Sequence, residues 1–588
     1  MQTKLISVEE KKFSFTPNLT NYDFTRSGFS YKNYEKELDW FKSGYLNAGY
    51  NAIDRNALGP RKNKIALYWE GAEGDEMQFT FLQMALASNR FANMLKDIGV
   101  DRGDRVFMFL PRIPELFFSF IGTLKRGAIA GTLFAAFGPQ ALQDRLSNSA
   151  AKVVVTTPEL KPRLDSIRDQ LPDLEHVIVV DGKDRRLFWE EKYTSKKKNS
   201  DLYYDLFSTA SEDFKTVHTS MDDPAFMLYT SGTTGKPKGV VHRHYAILHE
   251  YLTAKWVLDL KENDVYWCTA DPGWVTGIAY ENLGNWANGA STLVYEGRFS
   301  PDKWYSLIDE YKVNVWYTAP TAIRMLAASG KKLVDKYDLS TLRHLASVGE
   351  PLNPEAVNWG KKVFNYPFHD NFWQTETGGI VIANYPSLPI KAGSMGKPVP
   401  GIEANVVDDK GKPMPAGEEG ALVLKPSWAS MMQKIWKRPK KYESYFENGW
   451  YITGDRAYRD KDGYFWFVGR DDDVIKTAGE RVGPFEVESA LVEHEAVCEA
   501  GVIGKPDEMR GSIIKAFVKL QPGFKASEKL KEEVATYVKK HLAGHAYPKE
   551  IEFVDKLPKT RSGKIMRRVL KARELGEEIG DTSTLQEY

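Results

Sequence analysis

The sequence predicts an α/β fold: a mostly parallel, doubly wound sheet flanked by helices, then a smaller α+β unit. Three observations predict it. Strand-length β-branched runs alternate with helical patterns in the first part of the chain. The longest apolar region breaks into strand, helix and strand. A charged run, Asp471–Asp473, is followed by a fresh helix–strand–strand–helix pattern.

Arg105–Leu110 is a short apolar run ended by Pro111, Pro114–Arg126 carries apolar residues at helical spacing, and Ala128–Phe137 is apolar again. Arg112, Glu115, Lys125 and Arg126 interrupt this region, so it reads as buried α/β core and not as a membrane span. Lys152–Thr156 and His176–Val180 are β-branched runs of strand length. Gly463–Gly469 reads as a strand between glycines. The acidic run after it cannot be core, which places a domain boundary there: residues 1–471, then 472–588. Beyond it, Glu486–Glu493 and Ser527–Leu542 read as helices, and Cys498–Gly504 and Ile513–Leu520 as strands.

The chain has 588 residues, enough for two to four units at roughly 100–200 residues each. Lys plus Arg number 80 and Asp plus Glu 79. A near-neutral balance predicts no nucleic-acid and no membrane partner, and leaves any anionic substrate to local groups. Two distant cysteines, Cys268 and Cys498, exclude a disulfide framework, read as small buried hydrophobes and fit a reducing compartment. Met1–Ile6 leads into charge without an apolar run, which predicts no secretory signal and a cytoplasmic protein.

The most informative segment is Tyr229–Gly239. Gly232, Gly235 and Gly239 let backbone amides approach an anion. Thr230, Ser231, Thr233 and Thr234 add hydroxyls, and Lys236 and Lys238 add charge. The apolar strand Phe226–Leu228 precedes it and a helix over Ala246–Val257 follows, a frame suited to cradling a polyphosphate. It is not a Walker A loop, because Pro237 stands where the Mg²⁺-binding hydroxyl should follow the lysine. No two glycines lie two apart anywhere, which excludes a dinucleotide fingerprint.

This loop resembles the signature of the adenylate-forming superfamily, which holds acyl-CoA synthetases, luciferases and peptide-synthetase adenylation domains. Further matching blocks follow in the family's order: Gly349-Glu350-Pro351, Trp373–Gly378, Tyr451–Asp455, Gly469-Arg470, Gly479–Gly483 and Pro558–Lys564. The likeness to AMP-forming acetyl-CoA synthetases runs from about Trp40 to about Arg573; residues before it match nothing interpretable. It implies a β-barrel-like subdomain in the large unit and a mobile C-terminal unit that rotates about Asp472. It also implies two half-reactions. A carboxylate attacks the α-phosphate of ATP to give acyl-AMP and diphosphate; the CoA thiol then takes the acyl group and releases AMP.

The resemblance assigns roles residue by residue. Glu376 ligates Mg²⁺ and Thr375 donates to the α-phosphate. Gly349, Glu350, Pro351, Asp370, Asn371, Phe372, Trp373 and Gln374 line the adenine side, with Phe372 as the stacking face. Asp455 and Arg470 meet the ribose, and Arg481 a phosphate. Lys564 brings a compact ammonium to the meeting of carboxylate and phosphate; a lysine acetyltransferase and deacetylase acting on it would switch the enzyme off and on. Gly479 lines the pantetheine tunnel, and Lys161 and Arg163 face the CoA 3′-phosphate. Val492, His494 and Val497 match a structural cation site. Trp274, Val275, Thr276, Val348 and Trp373 line the acyl pocket. Because Trp373 fills a place where relatives for longer acids carry glycine, the substrate expected is acetate, then propionate. Another short-chain acid is the alternative. The small-molecule partners are therefore ATP, acetate and CoA; a homo-oligomer is left open.

Overall fold

The computed structural model describes residues 5–585 apart from 12, 14, 42–43, 181–200, 204–209, 231–236, 478–479, 508, 543–545, 561–563 and 580–584, and excludes the side chains of 201–203 and 481. Two large sheets dominate. In the first, six parallel strands (Pro224–Thr230, Ile129–Phe134, Arg105–Leu110, Val153–Thr156, His176–Val179 and Asp201–Tyr203) lie side by side, with Lys238–Arg243 and then Lys434–Ile435 added antiparallel beyond Pro224–Thr230. In the second, Phe368–Phe372, His344–Ser347, Val315–Thr318, Val265–Cys268, Ser291–Tyr295 and Ile65–Glu70 run parallel between short antiparallel edges. Helices Phe81–Asp97, Pro114–Arg126 and Ala246–Trp256 share one hydrophobic cluster with residues of both sheets, among them Val106, Phe226, Tyr266 and Val315. Strands buried on both faces need near-continuous apolar sequence, which is how Arg105–Leu110 and Val153–Thr156 read.

The barrel-like subdomain is an antiparallel sheet of Ala404–Val407, Glu419–Leu424, Trp450–Arg459, Phe446–Glu447 and Phe465–Arg470. After the exposed turn at Asp471 and Asp472, a second core gathers around Ile475, Val487, Leu491, Val502, Ile514, Val534 and Val538. It lies between helices Pro484–Val492 and Glu528–His541 and the sheet Val497–Asp507, Gly511–Leu520 and Glu550–Phe553.

Two expectations are corrected. The helix expected from Ala246 is present, but one strand precedes it unforeseen: the loop after Tyr229 joins antiparallel strands, Thr230 opposite Lys238. The β-branched Val240 and Val241 after Gly239 favour one more strand first. Cys268 is buried, but Cys498 is half-buried, near the seam with the larger unit. The uninterpreted N-terminal residues also have a place. Leu5–Ile6 pairs with Ile390–Lys391, and the fully buried Lys11 donates to the carbonyls of Tyr385 at 2.7 Å and Pro386 at 3.3 Å.

Candidate active site

The site lies past the carboxyl end of the parallel strand Phe368–Phe372, where open α/β sheets place ligands. The chain leaves that strand through Trp373 and turns into the short 3₁₀ helix Thr375–Thr377. Gly378 ends it with φ +67°, and a Cβ there would collide with the carbonyl of Ser430, so only glycine fits. His242, held neutral by burial with a pKa pushed down to about 4, reaches the carbonyls of Ser430 and Thr375.

Glu376 projects from this turn and is buried. Burial would raise its pKa, but the Lys238 ammonium 3.0 Å from Oε1, a backbone hydrogen bond and the Tyr445 hydroxyl together outweigh it, and the carboxyl titrates below its ordinary value. The Tyr445 hydroxyl donates to the same oxygen at 3.0 Å. Gln374 faces the other way. Its Nε2 donates to Asp455 Oδ2 at 2.6 Å and to the carbonyl of Thr453 at 2.8 Å, while its Oε1 accepts from Tyr451 at 2.8 Å.

Asp455 is 4% exposed, and burial lifts its pKa to about 6 against the opposing pull of Arg470, Lys564 and Gln374. Arg470 lies directly opposite it in the ladder, Nε 3.5 Å from Oδ1. Lys564 arrives from the C-terminal unit on a turn closed by its own carbonyl, which accepts from Thr560 N at 2.7 Å. Its side chain still meets water, yet it stands deep among protein groups. Lost hydration, then Arg470, then Arg567 lower its pKa, while Asp455 and Asp473 oppose them. A carboxylate able to hold a cation, a carboxylate able to accept from a diol, and an ammonium from a separate unit therefore share one cleft.

Residues 53–436 match the model of the AMP-binding enzyme family, and residues 486–564 that of the AMP-binding enzyme C-terminal domain. The chain belongs to the AMP-binding enzyme family. It is 55% identical to the acetyl-coenzyme A synthetase of Bacillus subtilis (97% of this chain, 98% of the relative) and 44% identical to that of Methanothrix thermoacetophila (93% and 86%). Two solved structures share the fold. The Brucella canis acyl-CoA synthetase has TM-score 0.73 and 35% identity over 95% of this chain and 99% of that one. An anthranilate–CoA ligase in complex with anthranoyl-AMP has TM-score 0.82 and 33% identity over 90% and 98%.

In this AMP-binding enzyme several expected residues work through neighbours. Asp370 is buried, its Oδ2 accepting from Leu352 N at 3.2 Å; Asn371 accepts from Tyr317 at 2.9 Å and donates to the carbonyl of Ser347 at 2.8 Å. Asn371 is thus engaged inside the fold, Asp370 Oδ1 is buried without a partner, and Phe372 stays half-buried. Gly349, at φ +96°, makes the bend before Glu350, whose carboxylate is held by Thr321 at 2.7 Å and Arg324 at 3.2 Å. Trp373 is half-buried, its Nε1 donating to Tyr317 at 3.3 Å and its ring edge-on to Tyr280 at 5.1 Å. It shares a hydrophobic cluster with Val275 and Val348, and Thr276 is buried beside Val275. Trp274 instead packs edge-on against Phe134 at 5.0 Å.

Lys161 is paired with Asp165 at 2.6 Å, and Arg163 with the carbonyl of Ala135 at 2.8 Å. His494 accepts from Ala496 N at 3.2 Å and faces Glu533 at 3.7 Å, between Val492 at its helix end and the strand that opens at Val497. Thr230 Oγ1 is buried without a partner, at the edge of the phosphate loop. Ser231, Gly232, Thr233, Thr234, Lys236 and Gly479 lie outside the described residues, as does the Arg481 side chain. Sequence reading missed Tyr445 and His242, and gave Tyr451, inside a matching block, no role of its own. The signal for the tyrosines was present: Asn448-Gly449 between aromatic pairs is a hairpin turn, and it folds Tyr445 onto Tyr451.

Proposed function

We propose that this AMP-binding enzyme joins acetate to CoA. The acetate oxygen attacks the α-phosphorus of ATP, the bond to diphosphate breaks, and acetyl-AMP forms; the CoA thiol then attacks the acetyl carbonyl and expels AMP. One observation supports this reading most: the Lys564 ammonium and Glu376 both lie within electrostatic reach of Asp455, with Arg470 alongside. Two anions approach each other only if fixed cations offset their repulsion, and Lys564 and Lys238 supply them.

Asp455 accepts from the ribose hydroxyls with Arg470 alongside, Thr230 and Thr375 donate to phosphate oxygens, and Arg481 adds a phosphate contact. Glu376 fits Mg²⁺ carried in by ATP: it is a buried hard oxygen ligand, and the Lys238 ammonium at 3.0 Å already stands in for a cation. When bound, Mg²⁺ would spread the charge of the departing diphosphate. Trp373, held by Tyr317 and Tyr280, closes the acyl pocket with Val275 and Val348, which favours acetate over propionate and longer acids. The boundary near Asp472 serves as the hinge that exchanges Lys564 for the pantetheine path past Gly479, with Lys161 and Arg163 near the CoA phosphate.

Diphosphate release with ATP, Mg²⁺ and a panel of acids tests the reading. Acetate should be fastest, propionate slower, and butyrate and benzoate near background. Faster release with benzoate than with acetate would overturn it.

A further inference from the structure

Tyr445 lies outside the sequence blocks that carry the adenylating chemistry, yet its hydroxyl touches both charged groups at the cation site. It donates to Glu376 Oε1 at 3.0 Å and accepts from the Lys238 ammonium, which itself stands 3.0 Å from that oxygen. The ring is not free to swing. It stacks on Tyr451, centroids 5.8 Å apart and planes 15° apart, and the Lys238 ammonium lies 4.8 Å from its centre. Tyr451 is fully buried, and its own hydroxyl is committed to Gln374 Oε1 at 2.8 Å. The Asn448-Gly449 turn, with φ +52° and +76°, fixes the pairing of Phe446 with Tyr451 and so the place of Tyr445 just before it.

A glutamate has three rotatable bonds, and ordering it costs entropy at the moment a ligand binds unless the protein has ordered it beforehand. Among the described residues no group of three or more His, Cys, Asp or Glu side chains could hold a metal ion, at Glu376 or elsewhere. The direction of this single carboxylate therefore governs how well the chain receives a phosphate-borne cation.

We propose that Tyr445 is the positioning residue of the metal–nucleotide site: its hydroxyl aims Glu376 at the incoming divalent cation and holds Lys238 beside it until the phosphates arrive. Lys238 then passes to the phosphates, and Tyr445 stays on Glu376. This rests on the reading that ATP binds here with Mg²⁺, but not on which acid is activated.

The test is calorimetric titration of ATP into the full-length protein, without acid or CoA, in EDTA and over a Mg²⁺ series. Tyr445→Phe keeps the ring and its stacking and removes only the hydroxyl. The Mg²⁺ concentration giving half of the affinity gain should rise roughly 10–100-fold, the range for residues that orient a metal ligand, while ATP affinity in EDTA changes little. In a Glu376→Gln background, Tyr445→Phe should add nothing to the loss. Equal weakening with and without metal, an unchanged Mg²⁺ midpoint, or additive losses in the double variant would each overturn the proposal. A wild-type protein that binds Mg²⁺ and ATP together but ignores acetate would refute the substrate reading alone. One whose ATP affinity is indifferent to Mg²⁺ would refute this inference.

Discussion

Replacing Asp455 by Asn should make the free enzyme more stable and a worse catalyst. Asp455 is buried, and its pKa rises from the ordinary 3.8 to about 6 even though Arg470, Lys564 and Gln374 all pull it down. The carboxyl is thus held ionised at neutral pH against its surroundings, ready to accept from a diol. A raised carboxyl pKa destabilises the folded state above the unfolded pKa. The penalty is absent below pH 3.8, grows between 3.8 and 6, and is complete above 6. The two values give about 1.6 kcal/mol at pH 5 and about 3 kcal/mol at pH 7.5. The attractions to Arg470 and Gln374 are already inside that net shift, and Asn can still accept from Gln374. With an unfolding entropy of about 1 kcal/mol/K for a body of this size, Tm should rise by about 3 °C at pH 7.5 and about half as much at pH 5. Losing a charged acceptor for two ribose hydroxyls should lower kcat/KM for ATP at least 10-fold and up to about 1000-fold. Thermal unfolding of the ligand-free pair at the two pH values, with diphosphate release alongside, measures both. A variant less stable than wild type at pH 7.5, or a gain that does not shrink at pH 5, would refute the reasoning.

Lys564→Ala should lower acetyl-AMP formation by about 10²–10³-fold, the usual loss of one positioned charge donor, while leaving CoA acylation from supplied acetyl-AMP within about twofold. Single-turnover assays of the two halves separate these outcomes, and equal losses would remove Lys564 from the first half-reaction. Trp373→Gly should let two further methylenes be buried, worth about 1.6 kcal/mol, and so raise kcat/KM for butyrate relative to acetate by about 15-fold. It should also cost stability, since the indole donates to Tyr317 and packs on Tyr280. An unchanged chain-length profile would move selectivity elsewhere.

The sheets were legible because burial on both faces demands continuous apolar, β-branched sequence, and Arg105–Leu110 and Val153–Thr156 show it without help from distant residues. The helix Glu528–His541 was legible through its charge-bearing outer face and its Ser527 cap, whose hydroxyl accepts from Leu530 N. What stayed hidden depends on partners remote in sequence. Lys11 looks like one charge in a polar run, but its ammonium is buried against carbonyls more than 370 residues away. Asp370 and Asn371 carry the right chemistry for an adenine pocket, yet strand alternation sends their side chains to opposite faces, where the Leu352 amide and the Tyr317 hydroxyl engage them. Glu376 and Lys564 could be singled out from local motifs, and both lie within electrostatic reach of Asp455. Tyr445, Tyr451 and Gln374 form a network that exists only once the hairpin has closed over the strand.

The seam between the two units carries a pH dependence of its own. Across the boundary Asn353 donates to Ser489 at 3.2 Å and Phe467 meets Phe485 edge-on at 6.0 Å, while within the smaller unit Arg567 spans Glu488 and, at 3.6 Å, Asp473. Beside them Glu355 of the larger unit meets Glu493 of the smaller. Burial, then this second carboxylate, lifts Glu355 to about 7, while the His541 side chain eases Glu493 and Tyr537 stands near both. One proton shared by two carboxyls suits the closed arrangement, and two bare charges oppose it. If rotation about Asp472 returns Glu355 to its ordinary 4.5, the closed state takes up a proton, and its share must fall as pH rises. Between pH 6 and pH 8 the closing equilibrium should drop about tenfold, from the ratio of proton binding in the two states. Fluorescence transfer between labels on the two units, read at fixed ionic strength, reports that equilibrium. Glu355→Gln, which donates to Glu493 at any pH, should hold the closed signal flat across the range. A wild-type signal that is flat or rises with pH would mean that the Glu355–Glu493 contact persists in both orientations and that the hinge moves something other than this seam.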